Sequence, residues 1–280
     1  MLKQRILTAV GLLAILLPAL LWRDTAPFAA VTAALMGAAA WEWGRLNGCS
    51  AAWLAGVAVA ALPWLLWWFW GAAGWPPVLG AAVTVGWVVV LALTLHRGVD
   101  DWGRWPRRVR LAGGWLALAC AWWAVVALHT RGPLMLLSVL LLVWVADIAA
   151  YFGGRAWGRR KLAPRISPGK SWEGAASGVV AVLALALAWM ALSAVWPPAR
   201  AALYPVLAQQ GWLVALLALL GLTALSVAGD LFESLVKRSA GVKDSSGLLP
   251  GHGGVLDRID ALLPVLPAAL TLLSLSGGDA

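Results

Sequence analysis

The residues of this chain best suited to chemistry lie between Asp230 and Asp260. In Gly229-Asp230-Leu231-Phe232-Glu233-Ser234-Leu235-Val236-Lys237-Arg238 the polar positions recur three and four apart. On a helix, Asp230, Glu233, Ser234, Lys237 and Arg238 therefore share one face. Such a stripe serves either a solvated helix with i, i+4 ion pairs or a site that holds a cation beside an anion. Ser239 to Gly254 follows, with five glycines, Pro250, Lys243 and His252. Glycine backbone reaches positive φ and lets amide N–H groups approach an anion. Asp257-Arg258-Ile259-Asp260 then opens the last apolar run. Two carboxylates three apart at a helix start suit capping, but they repel each other unless a cation lies between them. Oxygen ligands of this kind suit Mg²⁺, which keeps several waters and takes one or two carboxylates together with substrate phosphates. Asp230, brought back by the loop, supplies a further ligand.

A second cluster runs from Asp147 to Glu173. It comprises Asp147-Ile148-Ala149-Ala150-Tyr151-Phe152-Gly153-Gly154-Arg155 and then Lys161 through Gly174. Gly169-Lys170-Ser171 invites comparison with a phosphate-binding loop, but that motif needs glycine five residues before Gly169, where Pro164 stands. Lys170 with the hydroxyls of Ser167 and Ser171, just ahead of a helix, still makes a reasonable phosphate site. An ordinary basic loop would account for the Arg and Lys residues here, but not for Asp147 or Glu173.

The elements that must position these residues belong to a membrane. Of 280 residues, 62% are hydrophobic and 12% charged, against about 45–50% and about 25% in soluble domains. That composition excludes a water-soluble globule and a disordered chain. Two cysteines, Cys49 and Cys120, exclude a disulfide scaffold. A spanning helix needs about 20 apolar residues. Nine runs qualify, near 6–22, 26–44, 52–70, 77–95, 111–128, 133–153, 173–196, 204–228 and 255–275. The first is read as a retained span and not a signal peptide. With the N-terminus cytoplasmic, 18 of the 21 Lys and Arg residues fall on the cytoplasmic side, leaving Arg23, Arg131 and Arg200 outside. The net charge of +9 thus orients the chain and meets anionic lipid, with no nucleic-acid partner implied. Tryptophans such as Trp67, Trp68, Trp70 and Trp75 read as interfacial anchors. The expected fold is all-α and polytopic, with about nine spans and the N-terminus inside. Residues 1–132 form an N-terminal region of about five spans. Residues 133–280 form a catalytic region with its site at the cytoplasmic face. Carboxylates inside bilayer helices are costly and so usually have a partner and a task. Asp147, Glu173, Asp230, Glu233, Asp244, Asp257 and Asp260 all fall at that face. Glu42, near the end of the second run, is left open between a helix-end residue and a buried partner.

Ser234-Leu235-Val236-Lys237-Arg238, Lys243-Asp244 and Pro250-Gly251-His252-Gly253-Gly254-Val255-Leu256-Asp257-Arg258-Ile259-Asp260 together resemble the signature of the phosphatidate cytidylyltransferase (CDP-diacylglycerol synthase) family. Asp147…Tyr151-Phe152…Gly154-Arg155 and Lys161-Leu162-Ala163-Pro164…Ile166-Ser167-Pro168 are similar to it as well. Gly169 and Ser171 depart from it, standing where many relatives carry Lys and Thr. The resemblance implies the reaction CTP + phosphatidate → CDP-diacylglycerol + pyrophosphate, at a bacterial inner membrane. On this reading Asp230, Asp257 and Asp260 hold Mg²⁺, with a second metal or a monovalent cation left open. Lys237, Arg238, Lys243 and Arg258 neutralise phosphate oxygens. Ser234 is a further ligand, and Ser167, Lys170, Glu173 and Asp147 form the opposing wall. His252 shapes the loop or binds substrate; the nucleophile, a phosphate oxygen already anionic, needs no strong base. A homodimer is implied by the resemblance alone. The rival readings are a CTP-dependent kinase of a lipid alcohol, a transporter, and a non-catalytic scaffold. Charges gathered at one face argue against transport.

Overall fold

The computed structural model describes residues 2–70 and 76–275, so Trp75 and Asp279 lie outside the described residues. The chain forms α1 (Leu2–Leu21), α2 (Thr25–Leu46), α3 (Ala52–Trp70), α4 (Pro77–Arg97), the short α5 (Val99–Trp102), α6 (Arg107–Thr130) and α7 (Pro133–Trp157). A hairpin of β1 (Lys161–Ala163) and β2 (Ser167–Ser171) follows, then α8 (Trp172–Val195). A 3₁₀ turn (Pro197–Ala201) and α9 (Leu203–Gln209) lead to α10 (Trp212–Ser239), α11 (Leu256–Ile259) and α12 (Leu262–Leu275). Among the described residues, seven helical stretches are long and apolar enough to cross a membrane, and α1 adds a shorter apolar helix over Ile6–Leu21. The protein is a polytopic helical membrane protein. The Ala-rich α2, which carries Glu42, stands outside those seven.

Two readings of the sequence are refined by the structure. The run 204–228 is not one helix: the chain breaks at Gly211, whose φ of +112° disfavours any side chain, and the span starts at Trp212 and continues to Ser239. Before the break, α9 is wedged into one end of the bundle, where Ser138 Oγ accepts from the Leu203 amide (2.9 Å) and the Tyr204 hydroxyl donates to the Ser138 carbonyl (2.8 Å). The small hairpin, pairing Lys161 with Ser171 and Ala163 with Ser167, was not anticipated within an all-α fold. Several tryptophans also work inside the bundle. The indoles of Trp43, Trp115 and Trp122 donate to the carbonyls of Arg110, Ala40 and Ala29, tying α2 to α6.

The loops sort to two ends. At one end, Arg107 donates to the Asn47 and Gly48 carbonyls, Arg110 reaches Asn47 Oδ1, and Glu42 meets the segment Ser245–Leu256. At the other, His129 bonds to the Leu20 carbonyl (2.9 Å) and to Thr25, and Arg131 donates to Ser274. The crowded basic loops thus share one end of the bundle. Against α4, α6 and α10 packs α12; 61% of the stretch Leu256–Leu275 is buried.

Close helix contacts at glycines set the geometry of the site. On α8, a Cβ at Gly174 would lie 2.7 Å from the Ala150 carbonyl, and one at Gly178 would lie 2.9 Å from that of Ala146. Small residues four apart on both helices let the α7 and α8 backbones meet, as in membrane helix pairs generally. At Gly229 of α10 a Cβ would meet the Asp260 carbonyl at 2.9 Å and Pro264 at 2.8 Å. That contact sets Asp230 beside the α11–α12 junction.

Candidate active site

A cleft of about 780 Å³ opens among α7, β2, α8, α10 and the α11–α12 junction. Its polar lining comprises Asp147, Arg155, Lys161, Ser167, Lys170, Asp230, Asp257, Arg258 and Asp260. Val143, Trp144, Tyr151, Val227 and Leu262 are interleaved with them as its apolar lining.

Each functional side chain is placed by a local cause. The Ser171 hydroxyl accepts from the Gly174 amide (3.2 Å) and caps α8, which ends β2 there and sets Lys170 over α10. Lys170 Nζ lies 2.6 Å from Asp230 Oδ2. Ser234, one turn along, donates to Asp230 Oδ1 at 3.4 Å. Lys237 sits in a buried corner between Glu233, one turn back, and Asp257 Oδ1, at 2.6 Å from the latter. Asp257 is the most heavily engaged carboxylate. Besides Lys237 it accepts from the Ser245 amide (3.0 Å), the Ser245 hydroxyl (2.9 Å) and the Gly254 amide (2.7 Å). Gly253, at φ +84°, makes this wrap feasible; a Cβ there would sit 2.6 Å from Asp257 Oδ2.

Six of the residues expected from the sequence meet in the cleft: Ser167, Lys170, Asp230, Asp257, Arg258 and Asp260. Asp147, expected on the opposing wall, is there too. The others lie outside its lining. Ser234 and Lys237 stand behind Asp230 and Asp257 and touch them directly. Arg238 is exposed and donates to the Val242 carbonyl (3.3 Å), closing the end of α10. Lys243 is exposed on the loop. His252 offers its carbonyl to Arg258 Nη2 (2.6 Å), while its buried Nδ1 has no hydrogen-bond partner among the described residues. Glu173 faces the hairpin, where Oε2 accepts from the amides of Arg159 (3.1 Å) and Arg160 (3.2 Å). Glu42 enters the same region as a buried acceptor for Ser245, Ser246, Val255 and Leu256. The signal for it in the sequence was a lone Glu inside an apolar run.

Carboxylates and cations share the cleft. Asp147 and Asp260 both lie within electrostatic reach of Asp230 and also of Lys170. Among the described residues, neither Asp147 nor Asp260 is in an ion pair at contact distance. Grouped carboxylates without a cation in direct contact are a donor set that a divalent ion can complete. Among the described residues, no three carboxylate, His or Cys side chains are gathered closely enough to hold a metal by themselves. A site for Mg²⁺, which draws part of its coordination from water and substrate phosphate, does not need three. Asp230 and Asp260 fit that role most directly. Asp257 would reach a metal only by giving up one of its protein donors.

The sequence pattern of the Cytidylyltransferase family matches residues 3–276. A phosphatidate cytidylyltransferase of Pseudomonas aeruginosa is 43% identical, with 100% of both chains covered. One of Haemophilus influenzae is 49% identical over 49% of this chain and 44% of its own. One of Brucella suis is 43% identical over 71% of this chain and 66% of its own.

Proposed function

The chain belongs to the cytidylyltransferase family, and from that premise we infer that it is a phosphatidate cytidylyltransferase, forming CDP-diacylglycerol and pyrophosphate from CTP and phosphatidate. The observation that carries this reading is the mixed lining of the cleft. Carboxylates and cations stand there beside Val143, Trp144, Tyr151, Val227 and Leu262. A phosphate headgroup joined to acyl chains needs both kinds of surface at once.

In the reaction a phosphate oxygen of phosphatidate attacks the α-phosphorus of CTP. The bond from that phosphorus to the bridging oxygen breaks, and pyrophosphate leaves with the electron pair. No proton has to be removed from the nucleophile. The demand on the protein is to bring two polyanions together and to stabilise charge where it develops. Lys170, Arg258, Arg155 and Lys161 supply cations to the cleft. The apolar lining residues hold the start of the acyl chains and keep the headgroup in register with lipid. Asp230 and Asp260, with Asp147 nearby, would hold Mg²⁺, which would screen the polyphosphate and favour departure of pyrophosphate. Lys237 fixes Asp257, and Asp257 in turn holds the Gly-rich loop. We place the basic end of the bundle in the cytoplasm of a bacterial inner membrane, with the N-terminus inside. The asymmetry of Lys and Arg among the loops supports that orientation, and CTP is drawn from that side.

The test is product formation by purified protein in detergent, given labelled CTP, phosphatidate and Mg²⁺. Labelled CDP-diacylglycerol with release of pyrophosphate is expected. Formation of CDP and a phosphorylated lipid alcohol, when such an alcohol is supplied, in place of CDP-diacylglycerol would overturn this reading in favour of a lipid kinase.

A further inference from the structure

We propose that Glu42, from the second helix of the chain, is a positioning residue for the reaction: it sets the loop and helical turn that carry Asp257, Arg258 and Asp260. The proposal rests on the activity inferred above and adds to it a residue distant in the chain and outside the cleft lining. The Glu42 side chain is fully buried. Oε1 accepts from the Val255 amide at 3.0 Å and from the Ser246 hydroxyl. Oε2 accepts from the Leu256 amide at 2.7 Å and from the Ser245 hydroxyl at 3.2 Å. One carboxylate thus fastens the middle of the Gly-rich segment to the two residues that follow it, just before Asp257.

What it fastens leads directly into the cleft. The two amides it holds belong to the residues just before Asp257. Their carbonyls then accept from the amides of Arg258 (2.9 Å) and Asp260 (3.0 Å), so the turn holding both side chains is built on the anchored pair. Ser245 forms the second link. Its hydroxyl stands 3.2 Å from Glu42 and 2.9 Å from Asp257 Oδ2, but it has one proton to give. The two carboxylates are therefore coupled through a single hydroxyl. The space is closed around them: a Cβ at Gly254 would lie 2.4 Å from Glu42 Oε1. A buried carboxylate in a membrane helix is costly, and four donors converging on one oxygen pair compensate it.

Glu42→Gln keeps the size and removes the charge. It sets an amide NH₂ against groups that are themselves donors, so the turn must shift. Ser246→Ala is the milder companion, because it deletes one donor and leaves the carboxylate in place. Both are purified as full-length protein in detergent. Thermal midpoint, kcat, KM for CTP and the Mg²⁺ concentration at half-maximal rate are measured, together with hydrogen exchange at the Val255 and Leu256 amides. For Glu42→Gln we expect a folded protein and a kcat lower by about 10- to 100-fold, the range seen when residues supporting a metal site are changed. Half-saturation by Mg²⁺ should need a higher concentration, and both amides should exchange faster. Ser246→Ala should move each quantity less and in the same direction. Wild-type kcat and Mg²⁺ dependence in Glu42→Gln would overturn the proposal. So would a loss of activity that only tracks the loss of folded protein. A folded wild type that makes no CDP-diacylglycerol would instead remove the reaction itself, and with it this role.

Discussion

Lys170 and Asp230 meet at 2.6 Å across the mouth of the cleft, joining the hairpin ahead of α8 to the middle of α10. Each side chain keeps about a quarter of its surface exposed (25% and 29%), so solvent and salt weaken the pair. Its contribution to stability is about 1 kcal/mol at most. On the proposed reading its value lies in setting a cation where a polyphosphate arrives. Lys170→Met should therefore leave the thermal midpoint nearly unchanged while lowering kcat by about 100-fold or more, the usual loss when one transition-state donor is removed. Turnover of labelled CTP beside a melting curve checks both halves of that statement.

Metal dependence should separate the carboxylates. EDTA should abolish turnover and added Mg²⁺ should restore it. In Asp230→Asn and Asp260→Asn the Mg²⁺ concentration for half-maximal rate should rise well above that of wild type. A titration of rate against Mg²⁺ for the three proteins reads this, and equal midpoints would remove both residues from the metal site.

Asp257→Asn should behave differently from Asp230→Asn, because Asp257 holds Lys237, both polar groups of Ser245 and the Gly254 amide at once. Removing the charge leaves buried Lys237 with Glu233 alone, and broken buried pairs cost about 3–5 kcal/mol. The expected result is loss of turnover together with a lower thermal midpoint. Asp230→Asn should turn over more slowly at a fixed Mg²⁺ concentration, with little change in thermal midpoint. Melting curves of the two variants, side by side, decide the point.

The α7–α8 contact should tolerate almost no added bulk. A methyl at Gly174 already faces the Ala150 carbonyl at 2.7 Å, and that backbone has nowhere to go. Gly174→Val should force the helices apart at a cost of about 1–3 kcal/mol, typical of overpacking. It should also lower turnover, since Asp147 and Lys170 ride on the two sides of that seam. Gly86→Ala, at a helix position with open space around its Cβ, is the control that should change neither stability nor turnover.

How far the sequence revealed this arrangement depended on whether partners lie near one another in the chain. Asp230, Lys237, Asp257 and Asp260 announced themselves, because carboxylates amid apolar runs are rare and their spacing is helical. The sorting of basic loops to one end followed from hydropathy and charge alone. The hairpin did not, since Lys161–Ser171 contains Pro, Gly and Lys with no alternation of apolar and polar side chains. The break at Gly211 stayed hidden because the residues on either side of it are apolar. Glu42 was noticed but left undecided: its four donors lie more than 200 positions further along the chain, and no local pattern points to them. The apolar lining residues of the cleft were likewise indistinguishable from lipid-facing surface, because both are drawn from the same apolar residue types.

The burial of the stretch Leu256–Leu275 has a consequence for how the molecule is made. This helix lies against α4, α6 and α10 and carries Asp260 at its entrance, yet it leaves the ribosome after all three of them. Until it docks, the carboxylate cluster is incomplete and Gly229 faces no Asp260 or Pro264. On the proposed reading the order of synthesis thus acts as a safeguard: a chain that stops short of Asp260 has no complete site with which to consume CTP.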